Sequence, residues 1–398
     1  MDLIDLHDVP RRLLTLSLGG APFYAAASFL LTRSIYLLLG RRRYRPLKAI
    51  TISAAILHIP GALLLLIELV ERAHSANSMP DNFPITYLWI IPLVVASQAG
   101  LYGIPLVLLR VGMSWYRPRI HVIKTTFRVL LVALVLGTSL YVSGRVYHDL
   151  HHVEYATHRL HNNGASDTLR IAVIADIQAD AFTDIQRVNQ YYNTVKALTP
   201  DVILFAGDLA TIMYIGSIEP ASHAYGKTLR DIPAYGVLGD HDYWTRPAMV
   251  TSTLGQNGMY IGRNELITTR ASGTQLNVLL IENFALSRIP GGTLDSLLAL
   301  PREEGLDVAV VHHLENRLLE RLKEADFDLI VTGHTHGGQI ALDFYGTNMT
   351  AALLDIDRIS GMNREYGLPI YTSNGLGMST VPLRYNATPT IGLLEVLP

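Results

Sequence analysis

Charge is distributed very unevenly along this chain, and that restricts its fold more than any other feature. Four stretches in the first third carry no charged residue: Leu13 to Thr32, Ala49 to Ile67, Asn82 to Leu109 and Val129 to Gly144. A helix needs about 20 apolar residues, range ~17–25, to cross a hydrocarbon core ~30 Å thick. The first three runs reach that length. The fourth has 16 residues, between Arg128 and Arg145. Both arginines can snorkel to the headgroups and make up the shortfall. The sequence therefore predicts four spans over residues 1–146. The first run is too long for the apolar core of a cleaved signal and is followed by further spans.

Loop charge sets the orientation of such spans. The first loop holds Arg41, Arg42, Arg43, Arg45 and Lys48, and the third holds Arg110, Arg117, Arg119 and Lys124. The second has Arg72 as its only Lys or Arg, beside Glu71 and Asp81. Loops one and three are expected in the cytoplasm. The N-terminus and everything after the fourth span then lie outside it, in a multi-pass cell-membrane protein. If the fourth run does not cross, the large C-terminal region is cytoplasmic instead. Within the apolar stretches only His58 and the marginal Arg33 are ionisable. A transport path usually needs more buried charge, so the region reads as an anchor in the lipid bilayer, and His58 as a packed or interfacial residue.

Composition narrows the chemistry. The chain is 49% hydrophobic and only 17% charged, against about 25% in soluble domains. Net charge is −2, which offers no electrostatic argument for a nucleic-acid partner. There is no cysteine and there are 15 histidines. Disulfides, thiolate nucleophiles and Cys-based metal sites are excluded, so any metal centre is built from imidazole and carboxylate. Five histidines (His148, His151, His152, His158 and His161) fall within Tyr147 to His161. Spacings of three and four would put some on one helical face, as a metal site needs. The simpler expectation is an amphipathic juxtamembrane helix within a linker over residues 147–168.

From Leu169 the pattern becomes short apolar runs alternating with amphipathic stretches. Strands are predicted at Arg170–Ala175, Val202–Ala206, Tyr235–Leu238, Leu276–Ile281, Asp307–Val311, Phe327–Val331, Gln339–Leu342, Pro369–Thr372 and Thr390–Val396. Helices are predicted at Asp184–Leu198, Arg246–Gly255 and Glu315–Ala325. This alternation predicts an α/β sandwich over residues 169–398.

The residues at the strand ends carry the chemistry. Successive strands end in Asp176-Ile177-Gln178, Gly207-Asp208, Gly239-Asp240-His241-Asp242, His312-His313 and Gly333-His334-Thr335-His336-Gly337-Gly338-Gln339. Ligands in open α/β sheets bind beyond the carboxyl ends of strands. An Asp after a strand is commonly a helix N-cap, a lone Gly-Asp means nothing, and His-x-His alone is weak. Five strands delivering such residues to one edge is a different matter. N and O ligands of this kind suit two borderline divalent metals.

These motifs resemble those of the calcineurin-like metallophosphoesterases, over roughly Leu169 to Pro398. The stretch Gly333–Gln339 (GHTHGGQ) resembles the signature of that family's bacterial, often membrane-anchored branch. So do Leu368–Ser379 and Pro382-Leu383-Arg384, which look like its closing strand and loop. The resemblance implies a mixed-sheet sandwich flanked by helices, following an α-helical transmembrane region. It implies that Asp176, Asp208, Asp240, His312, His334 and His336 are metal ligands, with Asp208 bridging two ions of Mn, Fe or Zn. It implies His241 as the catalytic histidine beside the leaving group. His312 is preferred to His313 because it directly ends its strand. Two departures stand out. Gln178 replaces the family's usual His, offering a weaker carbonyl ligand. Asp240 replaces its usual Asn, adding a negative charge.

Two ions in such a site would turn a bridging water into hydroxide near neutral pH, for in-line attack on a phosphate ester, monoester or diester, a lipid phosphate included. No Ser or Cys nucleophile is required, and neither a G-x-S-x-G nor a P-loop motif is present. Two other readings compete. One is a membrane sensor or accessory protein whose phosphoesterase fold has lost turnover, for which Gln178 is the best support. The other is a transporter with a soluble appendage.

Overall fold

The computed structural model describes residues 83–116, 121–162, 167–211, 214–285, 287–354, 356–379 and 382–398. The expected spans Leu13–Thr32 and Ala49–Ile67 lie outside the described residues. Two compact units emerge. One takes in the described helices up to Tyr147 together with Ala341–Ala351; the other takes in His148–Ile340 and Ala352–Pro398.

The first unit is built on helices α1 (Phe83–Tyr116) and α2 (His121–His151). The apolar stretch of α1 is Ile90–Leu106. The short fourth run proves to be embedded in a 31-residue helix, of which Val129–His151 is long and apolar enough to cross a membrane by length and composition. It is the one such helix among the described residues. Gln98, fully buried on α1, makes reciprocal bonds with the backbone of Asp343: Nε2 donates to its carbonyl (2.6 Å) and Oε1 accepts from its N–H (2.9 Å). One turn on, Tyr102 donates to the Asp343 carboxylate (2.5 Å). Residues four apart share a helix face, so α1 holds Asp343 at two points.

The second unit is an α/β sandwich of two mixed sheets. Its elements, in chain order, begin with β1 (Glu154–His161), β2 (Leu169–Ile174), α3 (Ile185–Ala197), β3 (Val202–Phe205), α4 (Ile218–Leu229), β4 (Ala234–Gly236), α5 (Asp240–Thr245), α6 (Pro247–Gln256) and β5 (Tyr260–Ile261). They continue with β6 (Glu265–Ala271), β7 (Thr274–Ile281), α7 (Gly291–Leu298), β8 (Leu306–Val311), α8 (Asn316–Glu324) and β9 (Leu329–Thr332). The hairpin strands β10 (Leu342–Phe344) and β11 (Thr347–Met349) belong to the first unit; β12 (Gly361–Glu365), β13 (Leu368–Thr372) and β14 (Thr390–Leu397) complete the sandwich. One sheet runs β1-β14-β2-β3-β4-β5 and the other β12-β13-β9-β8-β7-β6. The neighbours β2-β3-β4-β5 and β7-β8-β9-β13 are parallel.

The period of two along each strand builds the layers. Ile171 and Val173 of β2 point between the sheets with Val308 and Val310 of β8. Ala172 and Ile174 turn instead to Val188, Tyr192 and Val195 of α3. Ala309 and Val311 turn to Leu318, Leu319 and Leu322 of α8. Each such buried aliphatic side chain contributes roughly 1.5–3 kcal/mol. Both faces of each sheet are covered, so the strands read as continuous apolar runs.

Two expectations are corrected. Glu154–His161, expected within a juxtamembrane linker helix, is an edge strand in parallel register with β14, Glu154 facing Thr390 through to His161 facing Leu397. Alternation of exposed and half-buried residues there satisfies a strand, and the backbone bonds of β14 decide the matter. Gln339–Leu342, expected as a strand, starts beyond a 3₁₀ turn at His336–Gly338, and strand structure resumes only at β10. Gly337, Gly338 and Gln339 all have positive φ, a left-handed backbone that cannot continue a strand.

Candidate active site

The carboxyl ends of β2, β3, β4, β8 and β9 meet at one edge, each followed by the motif residues. The turns are tight. Gly207 has φ +91°, and a Cβ there would lie 2.6 Å from the backbone nitrogen of Gly239. Asp176, Gln178, Asp208, His334, His336 and Gln339 also have positive φ, a conformation costing about 1–3 kcal/mol per non-glycine residue that the surroundings must enforce.

The expected ligands fall into two clusters whose donor atoms all lie within 4.8 Å of one another: Asp240, His312 and His334 in one, Asp176, Asp208 and His336 in the other. Asp208 adjoins both, since its Oδ2 lies 3.4 Å from His312 Nε2. That nitrogen is also 3.8 Å from Asp240 Oδ2, and His334 Nδ1 is 2.9 Å from the same oxygen. His336 Nε2 is 3.5 Å from Asp176 Oδ1. Gln178 sits among them, fully buried, with its amide nitrogen donating to Asp208 Oδ2 (2.8 Å). His241 lies at the start of α5, its backbone N–H donating to Asp208 Oδ1 (2.9 Å).

Tautomers and charges suit cations. His312 Nδ1 is 2.7 Å from the Ala206 carbonyl, so it carries the proton and Nε2 keeps a lone pair toward the carboxylates. His312 Nε2, His336 Nδ1 and Gln178 Oε1 are buried without hydrogen-bond partners among the described residues. A buried polar group left unpaired costs about 1–3 kcal/mol, and His312 Nε2 and Gln178 Oε1, both beside Asp208, fit metal coordination. Burial pushes the Asp176 carboxyl up to about 7, partly opposed by His312. Burial, then the charges of Asp242 and Asp240, drives Asp208 well above the usual carboxylate range. At Asp240 burial raises, but the hydrogen bond with His334 and the charges of His312 and His334 outweigh it and hold the carboxyl below that range. Burial, followed by the Arg384 cation, keeps His336 neutral, as a ligand must be.

His313 takes a different role from its neighbour. Its Nδ1 contacts Arg288, and its ring packs edge-on against His334 at 4.6 Å. Two residues organise the site that strand-end reasoning missed. Asp242 is fully buried and accepts from Asp208 N–H (2.8 Å), Leu209 N–H (3.2 Å), Ala210 N–H (3.1 Å) and Gly239 N–H (3.2 Å). It joins the β3 turn to the β4 turn. Arg384, the largest fully buried side chain among the described residues, donates to the carbonyls of Gly377, His336, Asn374 and Ala387. Only the acidic doublet around His241 hinted at the first. The second stood in a recognisable closing loop, with no sign that its charge would be buried.

The sandwich gathers carboxylates and neutral imidazoles at its strand ends, a donor set suited to divalent metal. Residues 169–338 match the family model described as calcineurin-like phosphoesterase. Uncharacterized metallophosphoesterase YkuE of Bacillus subtilis (strain 168) is 26% identical over 256 residues, covering 62% of this chain and 86% of that protein. Phosphodiesterase YaeI of Escherichia coli (strain K12) is 24% identical over 234 residues, covering 57% and 82%. The "Transmembrane protein with metallophosphoesterase domain" of Danio rerio is 23% identical over 227 residues, covering 54% and 50%.

Proposed function

We propose that the chain is a membrane-anchored phosphoesterase that uses two divalent transition ions, Mn, Fe or Zn. The observation that carries this reading is the pair of ligand clusters meeting at Asp208, where His312 Nε2 and Gln178 Oε1 are buried without hydrogen-bond partners among the described residues. Asp176, Gln178, Asp208 and His336 would hold one ion; Asp208, Asp240, His312 and His334 would hold the other. Bound metals supply Lewis acidity and lower the pKa of a coordinated water. The protein's own groups then divide the remaining work. His241 would give a proton or hydrogen bond to the leaving-group oxygen from its imidazole. Arg384 and Asp242 hold the ligand loops in place through carbonyls and N–H groups, so little reorganisation accompanies reaction.

The substrate is a phosphate ester. The relative named a phosphodiesterase favours a diester, and anchoring would concentrate a lipid phosphate beside the site. For localisation, the apolar runs, α2 and the relative named a transmembrane protein support a multi-pass anchor over residues 1–146. The basic first and third loops support a phosphoesterase domain, residues 169–398, outside the cytoplasm. The test is elemental analysis of purified protein, with turnover of a para-nitrophenyl diester, the matching monoester and phospholipid vesicles. Two ions per chain and chelator-sensitive hydrolysis are expected. At most trace metal, with activity indifferent to chelators, would overturn the reading.

A further inference from the structure

Gln339 ends the GHTHGGQ motif and is not a ligand, yet its side chain is tightly engaged. Its Nε2 donates to the Ser379 carbonyl (2.9 Å), while its Oε1 accepts from the Ser379 N–H (2.8 Å). A primary amide is the group that can donate and accept at one residue's backbone in this way. The Gln339 backbone is held too. It sits at φ +49°, and its carbonyl accepts from Tyr385 N–H (2.8 Å). Two residues, Gly337 and Gly338, therefore separate the metal-ligand position His336 from a two-point clamp on the closing loop. The clamp delivers the Ser379 hydroxyl to 3.4 Å from His241 Nε2. The His241 ring is thus met at its tip by Ser379, while its backbone is tied to Asp208 and its flank lies 6.1 Å from the Trp244 ring.

Nε2 is the far atom of the imidazole and the one able to reach a leaving-group oxygen. A neighbouring hydroxyl can accept from an Nε2 proton or donate to an Nε2 lone pair, so it restrains the ring in either tautomer. We propose that Gln339 and Ser379 form a positioning pair that aims His241 Nε2 at the leaving group. This rests on the phosphoesterase reading and on His241 serving the leaving group. It makes Gln339 a structural link between the metal loop and the proton-donating side of the site.

The experiment compares metal-loaded full-length protein with Ser379→Ala, Ser379→Thr, Gln339→Glu, His241→Ala and the double variants. Gln339→Glu keeps size and an acceptor but removes the donor to the Ser379 carbonyl. Substrates are aryl phosphate esters with a good (para-nitrophenyl) and a poor (phenyl) leaving group. Misplacing a catalytic group by about 1 Å can cost up to ~100-fold. Ser379→Ala and Gln339→Glu should each lower kcat about 10- to 100-fold, with KM and metal content nearly unchanged. The loss should be larger for phenol, the two changes should not multiply, Ser379→Thr should restore activity, and neither should matter once His241 is Ala. Equal losses for both leaving groups, multiplying losses, or metal loss in Gln339→Glu would overturn the proposal. Wild type inactive on every ester would instead count against the functional reading. Vanadate binding, as a mimic of five-coordinate phosphorus, then decides the pair. Weakening shared by Ser379→Ala and His241→Ala supports it, and independent weakening overturns it.

Discussion

Removing the Asp242 carboxylate tests how the site is held together. Its two oxygens accept four backbone N–H groups, from Asp208, Leu209, Ala210 and Gly239, at 2.8–3.2 Å. Asp242→Ala leaves these donors unpaired, at about 1–3 kcal/mol for each that stays buried. Some relief comes from removing a charge that burial disfavours, since the Asp242 carboxyl is itself pushed up by desolvation. The lower end of the range, about 4 kcal/mol for four groups, is therefore the expected destabilisation. For a domain of this size that lowers the melting temperature by roughly 8–16 °C. Asp242→Asn keeps one oxygen and turns an NH₂ toward one of the donors. One lost and one opposed contact should cost about half as much. Because Asp208 lies on the released turn, both variants should also lose metal, the Ala variant more. Thermal unfolding in detergent and elemental analysis read the two effects. An Ala variant melting within about 2 °C of wild type with full metal content would refute the view that these bonds organise the site. Equal losses for Asn and Ala would show that charge, rather than donor satisfaction, is what matters.

Four further outcomes are expected. His241→Ala should retain its metals and lose about 10²–10⁴-fold in turnover, whereas Asp208→Ala should lose metal and activity together; metal content measured beside kcat separates the two. Gln178→His, which supplies an imidazole in place of a weak carbonyl ligand, should tighten the first ion, and Asp240→Asn should loosen the second. Because the two sites share Asp208, the double variant should not be the sum of the singles, and a metal titration in which Gln178→His changes nothing would remove Gln178 from the ligand set. In metal-free protein the Asp176 carboxyl titrates at about 7 against an ordinary 3.8, so the folded state holds a proton the unfolded chain has released. Its stabilising contribution is present at low pH and fades as pH rises through about 7, while metal affinity climbs over the same window as the carboxylate frees itself; calorimetric metal titrations at pH 6 and pH 8 showing equal affinity would contradict this. Finally, reporters fused to either end should be active outside the cytoplasm, and a C-terminal reporter active only inside it would mean that Val129–His151 does not cross.

The sequence by itself determined the strand scaffold and which polar residues stand at its strand ends. Buried strands read as continuous apolar runs, and each run here stops at a motif residue, so Asp176, Asp208, Asp240, His312, His334 and His336 could be placed at strand ends one at a time. Their convergence was legible because every central strand of a parallel sheet points its carboxyl end the same way. Local pattern could not decide what depends on distant partners. The His-rich segment after α2 is a strand because β14, more than 200 residues later in the chain, offers it a ladder of N–H and C=O groups, while its own spacing suits a helix equally well. His312 and His313 are alike in sequence. What separates them is that the Ala206 carbonyl meets the Nδ1 of the first, while Arg288 meets the second. Asp242 became an acceptor for four N–H groups, and Arg384 a buried donor to four carbonyls, only once two turns and a closing loop had folded around them. Strand propensity and motif spacing are written in nearest neighbours, whereas the satisfaction of buried charges and backbone donors is settled by groups that only the tertiary fold brings within about 3 Å.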